Sequence, residues 1–386
     1  SILVAEYYAQ LGRCHRLLGE RDQARALFQR SLELRRAARG GGVEEAESLS
    51  DLALLQADAG AVDEAVAGLR LALDRLRVAT GERHPLGVTI WRSLGGLHRQ
   101  RSEVAQAEGA YRQAMDIALS LYGSQHPATI EVQRQLGALL VDVGRLDEAE
   151  RTVTLAMQQL RERFGERHPD VASTYQSLGM IAFERGQFDT ALLQLERAVA
   201  IWRQSSSAER LPIGLYQLAL VQLAAGQVDD AAASLGESLS LSRGRHGEAH
   251  GQVAVARRLG GEILAARGEH EAAREELASA LDGLRSAYGA SHPATALGEL
   301  ALARELYPVD AETAESLLHS VEQRFRGEGN ESLRLRMWSR ALRAEARCEG
   351  GDPAVGASQL DAILDELARD WTVSQLRRDI AAIRAA

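Results

Sequence analysis

The sequence contains no lysine: all 45 basic residues are arginine. A phosphate loop of the Walker type needs a lysine, so nucleotide binding by that device is excluded. Any charged recognition must use guanidinium groups, which stay ionised and fork onto carboxylates and phosphates. Asparagine is almost missing as well, with Asn330 its single example. Aromatic residues make up only 4% and prolines number 7, a poor supply for β-sheet, which favours aromatic and β-branched side chains. Two cysteines, Cys14 and Cys348, stand near opposite ends, so neither a disulfide nor a cysteine metal site is expected. No excess of basic charge exists either. The net charge is −9, and without a basic face nucleic acid is not an expected partner. No run of roughly 18 apolar residues occurs, so no direct membrane insertion of this segment is expected.

What is abundant points to helices. Apolar residues reach 45%, dominated by alanine and leucine, which suit closely packed helices. The pattern Gly-x-x-His-Pro recurs at Gly81–Pro85, Gly123–Pro127, Gly165–Pro169 and Gly289–Pro293, with a proline-free relative at Gly247–Gly251. The histidines His84, His126, His168, His250 and His292 are spaced by 42, 42, 82 and 42 residues. A second ladder of turn glycines runs in step: Gly19, Gly60, Gly144, Gly186, Gly226 and Gly268, with Ser102 in the gap. Small residues mark a first helix, A, at Gly12, Ala53, Gly95, Gly137, Gly179, Ala219 and Gly260. Twelve positions on, Ala24, Ala65, Ala107, Ala149, Ala191 and Ala231 mark a second helix, B, and one extra residue in the seventh unit gives Ala273. Small residues let the two helices approach closely. A glycine ends each helix, Asp63, Asp147, Asp189 and Asp229 are expected to cap helix B, and proline opens the next helix A.

This pattern resembles the tetratricopeptide repeat family, in the 42-residue form found in kinesin light chains and many bacterial arrays. The clearest unit is 168–201, HPDVASTYQSLGMIAFERGQFDTALLQLERAVAI. The resemblance implies an all-α, right-handed α-α superhelical solenoid of about nine helix pairs with a C-terminal capping helix. Residues 1–290 read as a regular array of about seven repeats and 291–371 as two degenerate helix pairs. Residues 372–386 read as the capping helix, near Val373–Ile383. Gly40–Gly42 and Ser205–Ser207 read as longer loops between repeats.

In this family helix A lines the concave surface, where partner peptides lie. Counting from the small residue of each helix A gives groove positions Arg92, Arg99, Arg134, Gln176, Met180, Phe183, Tyr216, Leu220 and Arg257. Arginines gather in units three and four, and apolar side chains in units five and six. The expected partner is a protein or peptide carrying acidic residues beside hydrophobic ones. The plainer alternative is that Met180, Phe183 and Leu220 pack between adjacent helices while the arginines form a solvated face. The Lys and Asn clamp of the chaperone-binding branch has no counterpart here. The paired asparagines of kinesin-light-chain grooves are replaced by Arg92-Ser93, Arg134-Gln135, Gln176-Ser177 and Tyr216-Gln217.

Catalytic and metal readings find no support in the residues. One histidine per repeat cannot converge on one ion, Cys14 and His15 point apart on a helix, and no nucleophile-elbow motif surrounds any serine. No cofactor, metal or catalytic residue is expected. The resemblance implies an interaction or sensory module of a larger bacterial signalling protein, most often a Ser/Thr kinase. The start at Ser1 inside a helical pattern fits a piece of a longer protein, in the cytoplasm, or in the periplasm if a membrane span precedes it. The alternatives are a free-standing scaffold or adaptor, a small-molecule-sensing solenoid with a pocket near Phe183 and Tyr216, and an enzyme whose solenoid supports a site on the irregular stretch Arg326–Ser332. A homodimer through the concave face or the C-terminal cap stays open.

Overall fold

The computed structural model describes residues 2–38, 42–81, 83–101, 103–205, 209–327, 330–349 and 352–368. Among these residues there are eighteen α-helices and no strand. The chain divides into two compact units, Ser1–Leu139 and Leu140–Ala386. The first unit holds the pairs α1 (Ile2–Leu17) with α2 (Arg21–Ala37), α3 (Gly42–Asp58) with α4 (Val62–Thr80), and α5 (Pro85–Gln100) with α6 (Val104–Tyr122). Helix α7 (Pro127–Asp142) runs through the division. The second unit continues with α8 (Leu146–Phe164), then α9 (Pro169–Glu184) with α10 (Phe188–Gln204), and α11 (Leu211–Ala224) with α12 (Val228–His246). It ends with α13 (Gly251–Ala266) and α14 (His270–Tyr288), α15 (Pro293–Leu306) and α16 (Ala311–Arg324), and α17 (Asn330–Glu349) and α18 (Pro353–Ala368). The expected capping helix at Val373–Ile383, and Gly40, Gly41, Ser102, Ser206 and Ser207, lie outside the described residues.

Each pair closes over small side chains. In the second pair Ala65, Leu69, Ala72 and Leu76 of α4 are buried together with Ala46 and Ala53 of α3, and Ile90 and Leu94 of α5 extend the same cluster. Close approach is tight at Gly95, where a Cβ atom would lie 2.6 Å from the ring of Tyr111. A side chain there would force the Tyr111 ring or the helix to shift. The same test corrects the register of the seventh pair. A Cβ on Gly261 would lie 2.5 Å from Leu277, whereas one on Gly260 would meet only Leu235 at 3.7 Å. The contact glycine is therefore Gly261, and the spacing to Ala273 needs no extra residue.

The turns and junctions use distinct devices. After α9, Gly186 takes φ 75°; its N–H donates to Phe183 O at 2.8 Å and that of Gln187 to Ala182 O at 2.9 Å, which closes the exposed carbonyl end. The expected aspartate caps are a correction. Ala61, Arg145 and Gln227 hold the N-cap positions without side-chain bonds, and Asp63, Asp147 and Asp229 sit in the first turn. There they favour the positive end of the helix dipole instead. Asp189 likewise lies in the first turn of α10, behind an N-cap at Gln187.

The junction histidines are the true caps. Nδ1 of His84, His168, His250 and His292 accepts the N–H of the residue two positions on, at 3.1 to 3.2 Å. His126 does the same for Ala128 at 3.2 Å. Four of these rings also stack on the residue four positions earlier: Tyr122–His126 at 4.2 Å, Phe164–His168 at 4.5 Å, His246–His250 at 4.3 Å and Tyr288–His292 at 4.5 Å. Pro85, Pro169 and Pro293 follow at the first helical position, where the missing N–H costs nothing.

Candidate protein-binding face

Within each unit the odd-numbered helices touch one another in succession: α1, α3 and α5 in the first, and α9, α11, α13, α15 and α17 in the second. No comparable contact joins successive even-numbered helices among the described residues. The odd helices therefore crowd onto the inner side of the stack, and the even helices fan outward.

Polar rungs cross this inner face from one odd helix to the next. In the first unit Arg13 of α1 reaches Asp51 at 2.8 Å and Glu47 at 2.6 Å on α3, and Arg16 reaches Asp58 at 2.6 Å. Arg92 and Arg134 meet around one carboxylate. Arg134 donates to both oxygens of Glu131 at 2.7 and 3.0 Å, Gln135 donates at 2.9 Å, and Arg92 stands 3.8 Å away. Burial pushes the Glu131 carboxyl up, but the bond and charge of Arg134 and then the charge of Arg92 outweigh it and hold it below the usual carboxylate range. The two arginines thus already have an internal anion. Arg99 is half-buried near the end of α5.

In the second unit Gln176 of α9 donates to Gln217 of α11 at 2.5 Å, and Arg258 of α13 donates to the Tyr216 hydroxyl at 3.2 Å. Leu220 is half-buried against the cluster of Ala219, Leu235, Leu259 and Ile263, and Tyr216 packs on the same cluster. Met180 is half-buried. Phe183 is a correction: it is only 6% exposed, with its ring 6.0 Å from Phe188, so it belongs to the core of its pair and offers no groove anchor. Arg257 is another. It grips Glu276 on its own partner helix α14 through two bonds of 2.8 Å, and the rung position one residue on is filled by Arg258.

A large opening lies further along, over α13, α15 and α17. This cleft has a volume of about 1060 Å³. Its apolar lining includes Leu223, Leu297, Leu335, Trp338 and the turn Tyr307-Pro308-Val309. Leu297 is 42% exposed and Val309 62% exposed, so these two are uncovered, whereas Leu335 is buried and Trp338 is half-buried against the core. Neither Phe183 nor Tyr216 lines it. The residues of the cleft escaped the repeat count because the repeat decays there. One signal was available: Tyr307-Pro308-Val309-Asp310 stands where the earlier units carry a turn glycine. Asp310 caps α16 by accepting the Thr313 N–H at 3.1 Å, so this turn is built on a different plan.

Among the described residues no group of three or more His, Cys, Asp or Glu could hold a metal ion, and no helix is long and apolar enough to cross a membrane. A family model for the MalT-like TPR region matches residues 52–370, and a tetratricopeptide repeat model matches residues 3–77. The chain belongs to the MalT-like tetratricopeptide repeat family. No curated protein matches it. As a tetratricopeptide protein it shares its fold with BtubC (BKLC) from P. vanneervenii, at 22% identity and a TM-score of 0.50 over 59% of this chain and 92% of that one. It is also similar to a Rap protein complexed with Competence and Sporulation Factor, at 13% identity and a TM-score of 0.62 over 99% of this chain and 97% of that one. Aspartyl phosphate phosphatase F from Bacillus subtilis gives 14% identity and a TM-score of 0.57, over 78% and 76%. The tetratricopeptide fold is a scaffold for protein–protein interaction: each repeat contacts only its neighbours, and the stack offers an extended surface.

Proposed function

We propose that this chain is a recognition module that binds a protein or peptide on the inner face of its second unit, with the cleft over α13, α15 and α17 as the main seat. The observation that carries this reading is a pair of uncovered apolar side chains at the cleft, Leu297 and Val309, beside the half-buried Trp338. Elsewhere on the inner face the polar side chains satisfy one another across the odd helices, as Gln176 does with Gln217. A surface that is already paired gains little from a partner, whereas apolar area removed from water contributes about 25 cal/mol per Å². The likeness to a Rap protein solved with a bound factor supports the same reading at the level of fold. The larger signalling protein, such as a Ser/Thr kinase, is the setting we assign to the module, and the repeat type alone supports that part.

Site-specific photo-crosslinking tests the placement. A benzoylphenylalanine at Leu297 is expected to capture a protein partner in cells, and the same probe at Val78, exposed on α4 of the first unit, is not. Capture at Met180 with none at Leu297 would move the seat to the stretch between α9 and α11.

A further inference from the structure

The charges of the cleft do not balance. Its lining holds four arginines, Arg258, Arg274, Arg304 and Arg334, against three glutamates, Glu262, Glu305 and Glu345, together with His270. Each glutamate is already engaged: Glu262 with Arg258, Glu345 with Arg304 at 2.7 Å, and Glu305 with His270 at 2.9 Å. Arg274 and Arg334 have no ion-pair partner among the described residues. They approach from different helices, α14 and α17, and both face the same opening. The surplus runs against the charge of the whole chain, which is −9. An unpaired guanidinium on an open surface is unremarkable. Beside the apolar walls of Leu297, Val309 and Trp338, its field is less screened and can select a ligand.

We propose that the cleft chooses its partner by a carboxylate, received by Arg274 and Arg334, set beside a large apolar side chain that covers Leu297 and Trp338. This rests on the reading that the inner face of the second unit binds a protein or peptide, and it supplies the chemistry of recognition. A carboxylate fits better than a polyanion, because the surplus is only one or two charges and three glutamates share the lining. Nucleic acid would bring a row of phosphates toward those glutamates. The planar fork of arginine suits a carboxylate, and the methylene stem of Arg274 can lie along the apolar wall while its head stays free.

The test is to pan the whole chain against a phage-displayed library of random peptides, then measure the enriched peptides by fluorescence anisotropy. Peptides with Asp or Glu within a few residues of Leu, Ile, Phe or Trp are expected. Arg274→Ala should weaken their binding about tenfold or more, as loss of a charge-assisted bond does. Leu297→Asp should abolish it, and the double reversal Arg274→Glu/Arg334→Glu should enrich peptides carrying Arg or Lys instead. Leu297 and Arg334 are exposed, so melting temperatures should hold, and Val309→Asp in the turn repeats the apolar arm if Leu297→Asp unfolds. Enriched peptides without acidic residues, bound equally by Arg274→Ala but lost by Leu297→Asp, would overturn the carboxylate and leave the inner-face reading standing. Binding indifferent to all of these variants, or no enrichment at all, would overturn both.

Discussion

Arg185, at the end of α9, sets its guanidinium 2.6 Å from Asp147 in the first turn of α8 and 2.6 Å from Glu150 one turn on. The same tie, over the same sequence separation, joins Arg101 to Asp63 at 2.7 Å and Arg267 to Asp229 at 2.6 Å. At the intervening turns the arginine's place is taken by Val143 and Ala225, so the ties occur at every second repeat. The three aspartates are exposed, and exposed pairs are screened by salt. Arg185→Ala should therefore lower stability by only about 0.2–1 kcal/mol, and by less in high salt. Thermal melts at low and high NaCl check this, and a salt-independent loss would assign the effect to packing of the arginine stem.

The two neighbouring glycines of α13 should respond with opposite signs. Gly261→Ala places a methyl 2.5 Å from Leu277 and 3.3 Å from the Ala273 carbonyl, and should destabilise by roughly 1–3 kcal/mol. Gly260→Ala meets nothing closer than 3.7 Å and should gain up to about 1 kcal/mol of helix propensity. Urea unfolding of the two variants decides it, and equal effects would contradict the register given above.

His292 and His246 predict a loss of stability in acid. Burial holds the pKa of His292 below the ordinary imidazole value, and its Nδ1 must stay unprotonated to accept the Ala294 N–H. His246, stacked on His250, is held down by burial and then by the charges of His250 and Arg245. A pKa lowered by folding means the unfolded chain binds protons more readily. The stabilisation is complete above the unfolded value, near 6.5, and is lost as pH falls through the folded value. Melting temperature should fall between about pH 7.5 and about pH 5, and His292→Asn, whose amide oxygen accepts at every pH, should reduce the slope. An unchanged slope in that variant would exclude His292 as a contributor.

Glu299 is the most committed carboxylate of the second unit. It is fully buried in α15 and receives Arg285 of α14 at 2.9 Å and Arg324 of α16. Removing the carboxylate leaves both arginines without it, but Arg285 and Arg324 are partly exposed, so Glu299→Ala should cost about 1–3 kcal/mol in urea unfolding. A loss below about 1 kcal/mol would mean that Arg324 swings out to water.

Features that repeat were legible in the sequence, and features that break the repeat were not. The small-residue contact at Gly95 and the stop-and-start at Gly165, His168 and Pro169 follow from spacing alone. At Gly260 and Gly261 the spacing itself favours Gly261, since the twelve-residue step back from Ala273 falls there. Spacing could not tell an N-cap from the first turn for Asp63, Asp147, Asp189 and Asp229, since an acidic side chain is favourable at both places. The histidine caps hid behind a residue type seldom used that way. Phe183 was misplaced because a count from the small residue cannot show which side chains a neighbouring helix will cover. The cleft depends on how α15 and α17 lie after the Tyr307-Pro308-Val309 turn, a relation between helices that no local pattern records.

The glycine–histidine junctions also carry their own full stop and their own capital letter. Gly165 finishes α8, and His168 with Pro169 begins α9, with no side chain borrowed from a distant repeat for either task. A duplication or deletion that recombines between two such junctions leaves no helix end unfinished. The gene can therefore lengthen or shorten by whole repeats while the protein still folds, and the reach of its binding surface becomes a quantity that evolution, or an engineer, can adjust in whole numbers.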